Sequence, residues 1–470
     1  MFHGLAIEKL WDESRTYKVL RLDFSGIPCS SREIFEKAAV RKFFLCAADA
    51  GLLDESCAPG DFHSISYLID AICRRCGENP FVLLVDEYDA PIAANADSPE
   101  KLAGIRQSLG YFYDAVKANS GSFRLVFITG TAGFGELVRM VRSSAVVDLS
   151  DDPVFRDLLG FTEGEIRQFF RGYLIRSAAL LNHMPLQDVT EQHIDILMDE
   201  LRRHYGGYCF AMKGRSRVFQ TWSVLNFLNQ SSEPGFGDYW YETGVITDSM
   251  KEYFAARIGT PGKAQTKAFW ECDFSASQYS PAIDTGVLLT QCGYYTILSG
   301  DGDVIEIGLP NLELKQAHAR IVMDGIMPAS VRREMRERLP FFTGAVKAAD
   351  AAYFFNVFLT ALPEARKPGT AGEVCDWLRI FLLSRGLDAR SGEYGTDASA
   401  WLLCEFPDVG IIMEMMYEGS WTEQQVNAQA KEPQITDAYS GSSAVHKPLR
   451  RFTMVFSGKE QKIILWSESE

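Results

Sequence analysis

The apolar run FVLLV at residues 81–85, followed at once by Asp86 and Glu87, constrains the fold of this chain more than any other feature. A strand without polar alternation is expected to be buried on both faces, which is typical of parallel sheets covered by helices. The segment 124–128 (RLVFI) repeats the pattern and stops at Thr129. Both runs therefore predict neighbouring strands of a parallel α/β sheet.

Strand and helix patterns alternate over the first 160 residues, as a parallel α/β sheet requires. Tyr17–Phe24 alternates and is rich in branched residues, which predicts a strand. Ser30 and Ser31 can cap a helix that begins near Arg32. Pro99–Lys117 has apolar residues at helical spacing and predicts the crossover helix between the two apolar strands. We therefore predict an α/β domain over residues 1–160.

The acidic pair at residues 86 and 87 matches the Walker B pattern of P-loop ATPases. A carboxylate at the carboxyl end of a strand can hold Mg²⁺ through water, and the next carboxylate can polarise the water that attacks the γ-phosphate. Open α/β sheets also bind ligands at that edge. The alternative is a strand that leaves the core and meets solvent with two acids. The segment alone leaves both interpretations open.

Several further motifs resemble those of the predicted AAA-ATPase-like family of bacteria and archaea, whose members usually carry a PD-(D/E)XK nuclease-like domain at the C-terminus. The motifs cover nearly the whole chain: Asp86–Ile92 (DEYDAPI), Val126–Gly130 (VFITG), Leu159–Glu163 (LGFTE), Tyr205–Phe210 (YGGYCF), Trp222–Leu228 (WSVLNFL), Tyr239–Gly244 (YWYETG) and Leu309–Glu313 (LPNLE). The resemblance implies that Asp86 and Glu87 are the Walker B pair, with Asp86 on Mg²⁺. It also implies that Thr129 is the sensor residue facing the γ-phosphate, and that ATP and Mg²⁺ are the cofactors.

The sequence contains no GxxxxGK[ST] motif, the loop whose backbone N–H groups and Lys hold the phosphates of ATP. In the family this loop lies just upstream of the segment that corresponds to residues 2–7. Three explanations for the missing loop remain open: a start codon that was assigned too late, a truncation, and a gene that has lost its 5′ portion. We expect the parallel sheet to lack its first strand, which leaves two neighbouring strands without a partner. Nucleotide binding by this chain is expected to be weak or absent.

Residues 161–345 have mostly helical patterns, and they resemble the helical lid and linker of the family. Residues 346–470 show helices, then strands ending near Glu405 and Met415, then a helical segment near residues 422–439 and a closing pair of strands. This order resembles the PD-(D/E)XK fold. The resemblance implies that Asp397 and Glu414 hold Mg²⁺. Met416 stands where the catalytic Lys is expected, so cleavage should be impaired.

Net charge and hydropathy limit the classes of partner. Lys and Arg number 47 against 62 Asp and Glu, a net charge of −15. This charge does not favour nucleic-acid binding, which the resemblance alone suggests. No apolar run is long enough for a membrane span and no signal peptide is recognisable, so we expect a cytoplasmic protein without a membrane partner. The pair Cys73 and Cys76 lacks the further ligands of a zinc site.

Two classes of function remain open at this point. In the first, the chain is part of an AAA-ATPase-like enzyme with a nuclease-like C-terminal domain, impaired at both sites because Walker A is missing and Met416 replaces Lys. In the second, it is a non-catalytic scaffold or interaction remnant that binds protein partners.

Overall fold

The computed structural model divides the chain into two compact units, which are described separately below. The first unit contains Met1–Asp152 and Trp270–Cys292, and the second contains Pro153–Phe269 and Gly293–Glu470. The structure describes all residues except 1–5, 11, 13, 55, 96–97, 132–146, 148, 151, 153, 211–215, 231–234, 241–266, 271–284, 302–303, 338, 348–350, 394–398, 407, 419–447 and 470. The predicted division at residues 160/161 and 345/346 stays a prediction.

The first unit is built on a three-stranded parallel sheet with the order β1-β2-β3. The strands are β1 (Val19–Asp23), β2 (Phe81–Asp86) and β3 (Phe123–Ile128). The helices that alternate with them are α1 (Arg32–Asp49), α2 (Ile65–Cys76), α3 (Ala90–Ala93) and α4 (Pro99–Ala118). The hydroxyl of Ser31 caps α1 by accepting the Ile34 N–H at 3.3 Å. The predicted mixed α/β character and the parallel sheet are thus confirmed.

One face of this sheet is buried and the other is open. Leu20, Leu83 and other side chains of the buried face pack into a core with residues of α1, α2 and α4. On the opposite face, Leu125 is 52% exposed and Phe127 is 45% exposed. The apolar runs predicted burial on both faces, but no described element covers this second face of β3. Among the described strands, β1 and β3 form the two edges of a continuous sheet, with no gap between them.

The second unit begins with a group of short helices packed around Leu197, Tyr205 and Phe227. They are α5 (Glu163–Phe169), α6 (Arg171–Leu181), α7 (Glu191–Tyr205) and α8 (Thr221–Asn229). Thr162 and Glu165 form a capping box at α5. The predicted helical lid and linker over residues 161–345 stays a prediction.

The chain from residue 267 to residue 347 combines a small sheet with further helices. Its elements are β4 (Lys267–Trp270), α9 (Thr285–Gln291), β5 (Thr296–Asp301), β6 (Val304–Gly308), α10 (Leu312–Ile326), α11 (Ala329–Glu337) and α12 (Leu339–Lys347). The sheet has the order β4-β6-β5. Helix α9 lies in the first unit and α10 to α12 lie in the second.

The C-terminal part of the second unit is a separate, mostly antiparallel five-stranded sheet with the order β11-β10-β9-β8-β7. Its elements are α13 (Ala352–Ala361), α14 (Ala371–Ser384), β7 (Asp388–Glu393), β8 (Ser399–Glu405), β9 (Gly410–Glu418), β10 (Leu449–Ser457) and β11 (Lys462–Ser469). Strands β9 and β10 are parallel. Leu378 and Phe381 of α14 pack against one face of this sheet. A helical segment predicted near residues 422–439 lies outside the described residues.

Within the described part of the chain, none of the helices combines the length and the hydropathy that are needed to cross a bilayer.

Candidate active site

The three strands of the first unit bring polar side chains to one edge of the sheet. Asp23 is the last residue of β1 and pairs in register with Asp86, the last residue of β2. Thr129 follows β3, and its N–H donates to the Val85 carbonyl at 2.8 Å. Because parallel strands end at a common edge, residues that are far apart in sequence meet there. Glu87 comes directly after Asp86, so the predicted ATPase-like residues lie together.

Both carboxylate oxygens of Asp86 have a hydrogen-bond donor. The Thr129 hydroxyl donates to Oδ1 at 2.8 Å, and the Arg21 guanidinium donates to Oδ2 at 3.2 Å. The Asp86 side chain is 43% exposed, and that of Arg21 is 69% exposed. A carboxylate oxygen has more than one lone pair, so Asp86 can still accept from water. The two donors fix its orientation at the sheet edge.

Glu87 has an unusual backbone conformation and an altered acidity. Its φ of 47° lies in the left-handed region, which is uncommon for a residue other than glycine. Its side chain reaches solvent, yet desolvation of the carboxyl, together with the charges of Asp23, Asp86 and Asp89, raises its pKa. Lys42 acts in the opposite direction. A carboxyl group with a raised pKa is better suited to accept a proton near neutral pH.

Asp23 belongs to the same edge but was not predicted from the sequence. Its carboxylate accepts the Ser25 N–H at 2.8 Å and lies 3.5 Å from the Lys42 ammonium. Burial acts to raise its pKa, but the hydrogen bonds from Ser25 and the charge of Lys42 outweigh burial and lower it. The sequence did contain a usable indication, because the predicted strand Tyr17–Phe24 has an acid near its carboxyl end, as the strand pattern at residues 81–86 does.

The residues at this edge fit one half of the chemistry that the family implies. Asp86 could hold Mg²⁺ through water, with Thr129 beside it, as a Walker B acid does. Among the described residues, no group of three or more His, Cys, Asp or Glu could hold a metal ion directly. The sequence lacks GxxxxGK[ST], the motif that holds phosphate in P-loop enzymes. The edge therefore brings together the acids that the resemblance predicts, without that motif in the sequence.

The nuclease-like residues lie in a different setting. Glu414 is in the middle of β9, opposite Trp401 of β8 and Thr453 of β10, and it is only 4% exposed. Met416 is buried and packs with Val455. Asp397 lies outside the described residues, so its convergence with Glu414 stays a prediction.

The cysteine pair of α2 shows no sign of reactivity. Burial raises the pKa of Cys73 to about 12, and burial also raises the pKa of Cys76. Both thiols are free. A thiol with a raised pKa is protonated at neutral pH and is a poor nucleophile and metal ligand.

Comparisons with known proteins support part of this picture. Residues 1–136 match the model of the AAA-ATPase-like family, described as predicted AAA-ATPase. The chain is also similar to an uncharacterized protein in the vnfD 5′ region of Azotobacter chroococcum mcd 1, with 27% identity over 344 residues. That similarity covers 71% of this chain, and the chain spans 60% of the length of this relative. No solved structure matches the chain. The family match includes Asp86, Glu87 and Thr129, and it does not reach the predicted nuclease-like region.

Proposed function

We propose that the first unit forms the acidic half of an ATP-hydrolysing site of the AAA-ATPase type. Asp86 would hold the metal-bound water, Glu87 would accept a proton from the attacking water, and Thr129 would face the γ-phosphate. Mg²⁺, when bound, would neutralise charge that develops on the phosphate oxygens. The strongest support is the 2.8 Å hydrogen bond from Thr129 to Asp86, at the edge where neighbouring parallel strands end.

The same proposal implies that this chain alone binds nucleotide weakly. Successive backbone N–H groups and a Lys provide most of the contacts to the phosphates in P-loop enzymes, and this sequence has no such motif. The acids at the sheet edge repel phosphate unless a cation lies between them. Weak, strictly Mg²⁺-dependent binding is therefore the expected behaviour.

Thermal unfolding of the full chain with millimolar Mg²⁺·ATP tests the proposal. We expect a small rise in Tm that disappears without Mg²⁺ and in Asp86→Asn. The matched control is Glu337→Gln, whose side chain is 67% exposed on α11 and which should respond like the wild type. A rise that persists in Asp86→Asn would contradict the proposed site. A complete site at about 100 times its Kd would add roughly 2.7 kcal/mol, so a rise of that size at micromolar ATP would contradict weak binding.

A non-catalytic interaction protein is the second candidate function. The observation that favours it is the open face of β3, where Leu125 and Phe127 are about half exposed. Exposed apolar patches on sheets are common at protein–protein contacts. The absence of any Mg²⁺·ATP response in the wild type, at every concentration tested, would favour this candidate over the first.

For residues 346–470 we propose a nuclease-like fold that is impaired in catalysis. The order of α14, β7, β8 and β9, with Glu414 on a central strand, supports the proposal. The thioether of Met416 can neither carry charge nor donate a proton, so it cannot replace the expected Lys. Nucleic acid as a partner rests on the resemblance alone, and the acidic charge of the chain does not support it.

A further inference from the structure

The turn that follows β2 is joined to the loop that follows β3 by two hydrogen bonds. The Tyr88 N–H donates to the Thr129 carbonyl at 3.2 Å, and the Thr131 N–H donates to Asp89 Oδ1 at 3.0 Å. Asp89 is only 3% exposed, although its neighbour Glu87 reaches solvent. A buried carboxylate that accepts a backbone N–H forms a charge-assisted hydrogen bond, which is stronger than one between neutral groups.

Gly130 is central to this junction because there is no room for a side chain. A Cβ atom at Gly130 would overlap the ring of Tyr88 and would lie 2.5 Å from Asp89 Oδ1. The Tyr88 ring cannot easily move away, because it is 3% exposed and packs edge-on against Tyr113 with ring centroids 6.5 Å apart. The backbone of the loop therefore approaches the turn more closely than any residue other than glycine would allow.

We propose that Asp89 is a positioning residue for the candidate site, acting through the Thr131 N–H and the Gly130 contact to hold the Thr129 hydroxyl on Asp86. Thr129 is itself anchored, because its carbonyl accepts from Tyr88, and the chain is held again two residues later at Thr131. The same contacts fix the turn in which Glu87 adopts its left-handed backbone. The role of these contacts in catalysis rests on the proposed function, but the contacts between the turn and the loop do not.

The acceptor oxygen of Asp89 holds the Thr131 N–H. Asp89→Asn keeps an acceptor oxygen at this place. Asp89→Leu has a similar size and removes it. The two variants therefore separate the hydrogen bond to Thr131 from the volume of the side chain.

Amide hydrogen exchange at Thr131, measured in the full chain without nucleotide, tests the positioning role. A lost hydrogen bond to a charged group corresponds to about 10- to 100-fold faster exchange in Asp89→Leu, with exchange in Asp89→Asn close to wild type. Exchange in β9, in the other unit, serves as the internal control for global unfolding. If Asp89→Leu itself unfolds the first unit, Gly130→Ala provides the second test, because it should loosen the same loop by displacing the turn.

Equal exchange at Thr131 in wild type, Asp89→Leu and Gly130→Ala would overturn the inference. Rescue by the conservative variant is the readout that a merely structural role would not move: Asp89→Asn should keep slow exchange at Thr131. Equally fast exchange in Asp89→Asn and Asp89→Leu would contradict the positioning role of the acceptor oxygen. Because this measurement does not use ATP, a failed response to Mg²⁺·ATP would count against the proposed function and leave this inference standing.

Discussion

Asp86 in the first unit and Glu414 in the second show how the place of a carboxylate in a strand decides what it can do. Asp86 ends its strand, is 43% exposed and takes hydrogen bonds from two side chains. Glu414 lies within a central strand, has neighbours on both sides and is 4% exposed. A strand end gives a carboxylate both fixed orientation and access to ligand. In a central strand, the access of a carboxylate to a ligand depends on what packs against that face of the sheet.

Two ion pairs, one from each unit, differ in the same way. Arg21 and Asp86 pair at a solvent-exposed edge. Arg203 of α7 instead binds Asp388 of β7 at 2.9 Å and Glu405 of β8 at 3.2 Å, and these two acids are 10% and 3% exposed. Exposed pairs contribute little to stability, whereas removal of one partner from a buried pair leaves an unpaired charge. The first of these pairs lies at a surface, and the second joins a helix to a sheet.

The sharpest test of this contrast is Met416→Lys in the second unit. Met416 is 5% exposed and packs with Val455, so the new ammonium group would lose its hydration. We expect a loss of about 4 kcal/mol in the free energy of unfolding at pH 7. Burial would lower the pKa of this lysine, so the loss should shrink as pH rises through that lowered pKa toward the ordinary value near 10.4. Urea unfolding at pH 7 and at about pH 10 measures the effect.

Met416→Leu is the matched control for this substitution. It keeps the volume and apolar character of the side chain, and a loss below about 1.5 kcal/mol is expected. A loss of less than about 1 kcal/mol in Met416→Lys, together with new Mg²⁺-dependent cleavage of DNA, would mean that this side of β9 opens onto a functional site. The contrast with Asp86 would then be wrong.

Arg203→Met should have the next largest effect. The substitution keeps most of the packing of the side chain but removes the shared cation of Asp388 and Glu405, and we expect a loss of about 3 kcal/mol. Arg390 remains 3.8 Å from Glu405, so Asp388 is the acid that loses more. Arg21→Met is the comparison variant, since it breaks an exposed pair and should cost about 0.5 kcal/mol or less. Chemical denaturation of both variants measures the difference. Equal losses would show that exposure does not determine how much these two ion pairs contribute to stability.

The elements of the first unit could largely be predicted, because local patterns specify them. The predicted helix Pro99–Lys117 extends to Ala118, and the run FVLLV is β2 with one more residue. Strand β7 was missed because its sequence, DARSGE, has no apolar run, so its pairing with β8 decides its conformation. The conformation of a long apolar segment can be predicted from its own sequence, whereas that of a polar edge strand such as β7 cannot.

The candidate site was less predictable than the strands that carry it. Asp86, Glu87 and Thr129 follow strongly patterned strands, and a motif points to them. Asp23 lies beside them only because β1 is next to β2 in the sheet, and strand order cannot be predicted from a local sequence pattern. The contact of Asp89 with Thr131 likewise joins positions 42 residues apart. Proximity of this kind depends on topology and therefore requires the folded structure.

A comparison of Glu87→Gly with Glu87→Ala measures the backbone strain at the sheet edge. A residue other than glycine at a φ of 47° is disfavoured by about 1–2 kcal/mol. Glycine avoids this strain, but it loses more conformational entropy on folding, which offsets part of the difference. We therefore expect Glu87→Gly to be about 1 kcal/mol more stable than Glu87→Ala, in thermal unfolding without ligand. Equal stability of the two variants would show that the turn does not hold residue 87 in the left-handed region.

The smallest expected effects are opposite pH dependences of two carboxyl groups on this same edge. The pKa of Glu87 is raised in the folded protein, so its contribution to stability is present below its ordinary pKa and is lost as pH rises through the raised value. The pKa of Asp23 is lowered, so its contribution is present above its ordinary pKa and is lost as pH falls through the lowered value. Glu87→Gln should therefore gain stability relative to wild type between pH 4 and pH 7, and Asp23→Asn should lose stability relative to wild type as pH rises from 3 to 7. Thermal unfolding across this range measures both differences. If the stabilities of both variants, relative to wild type, changed with pH in the same direction, Glu87 would not be the proton acceptor and Asp23 the paired anion of this edge.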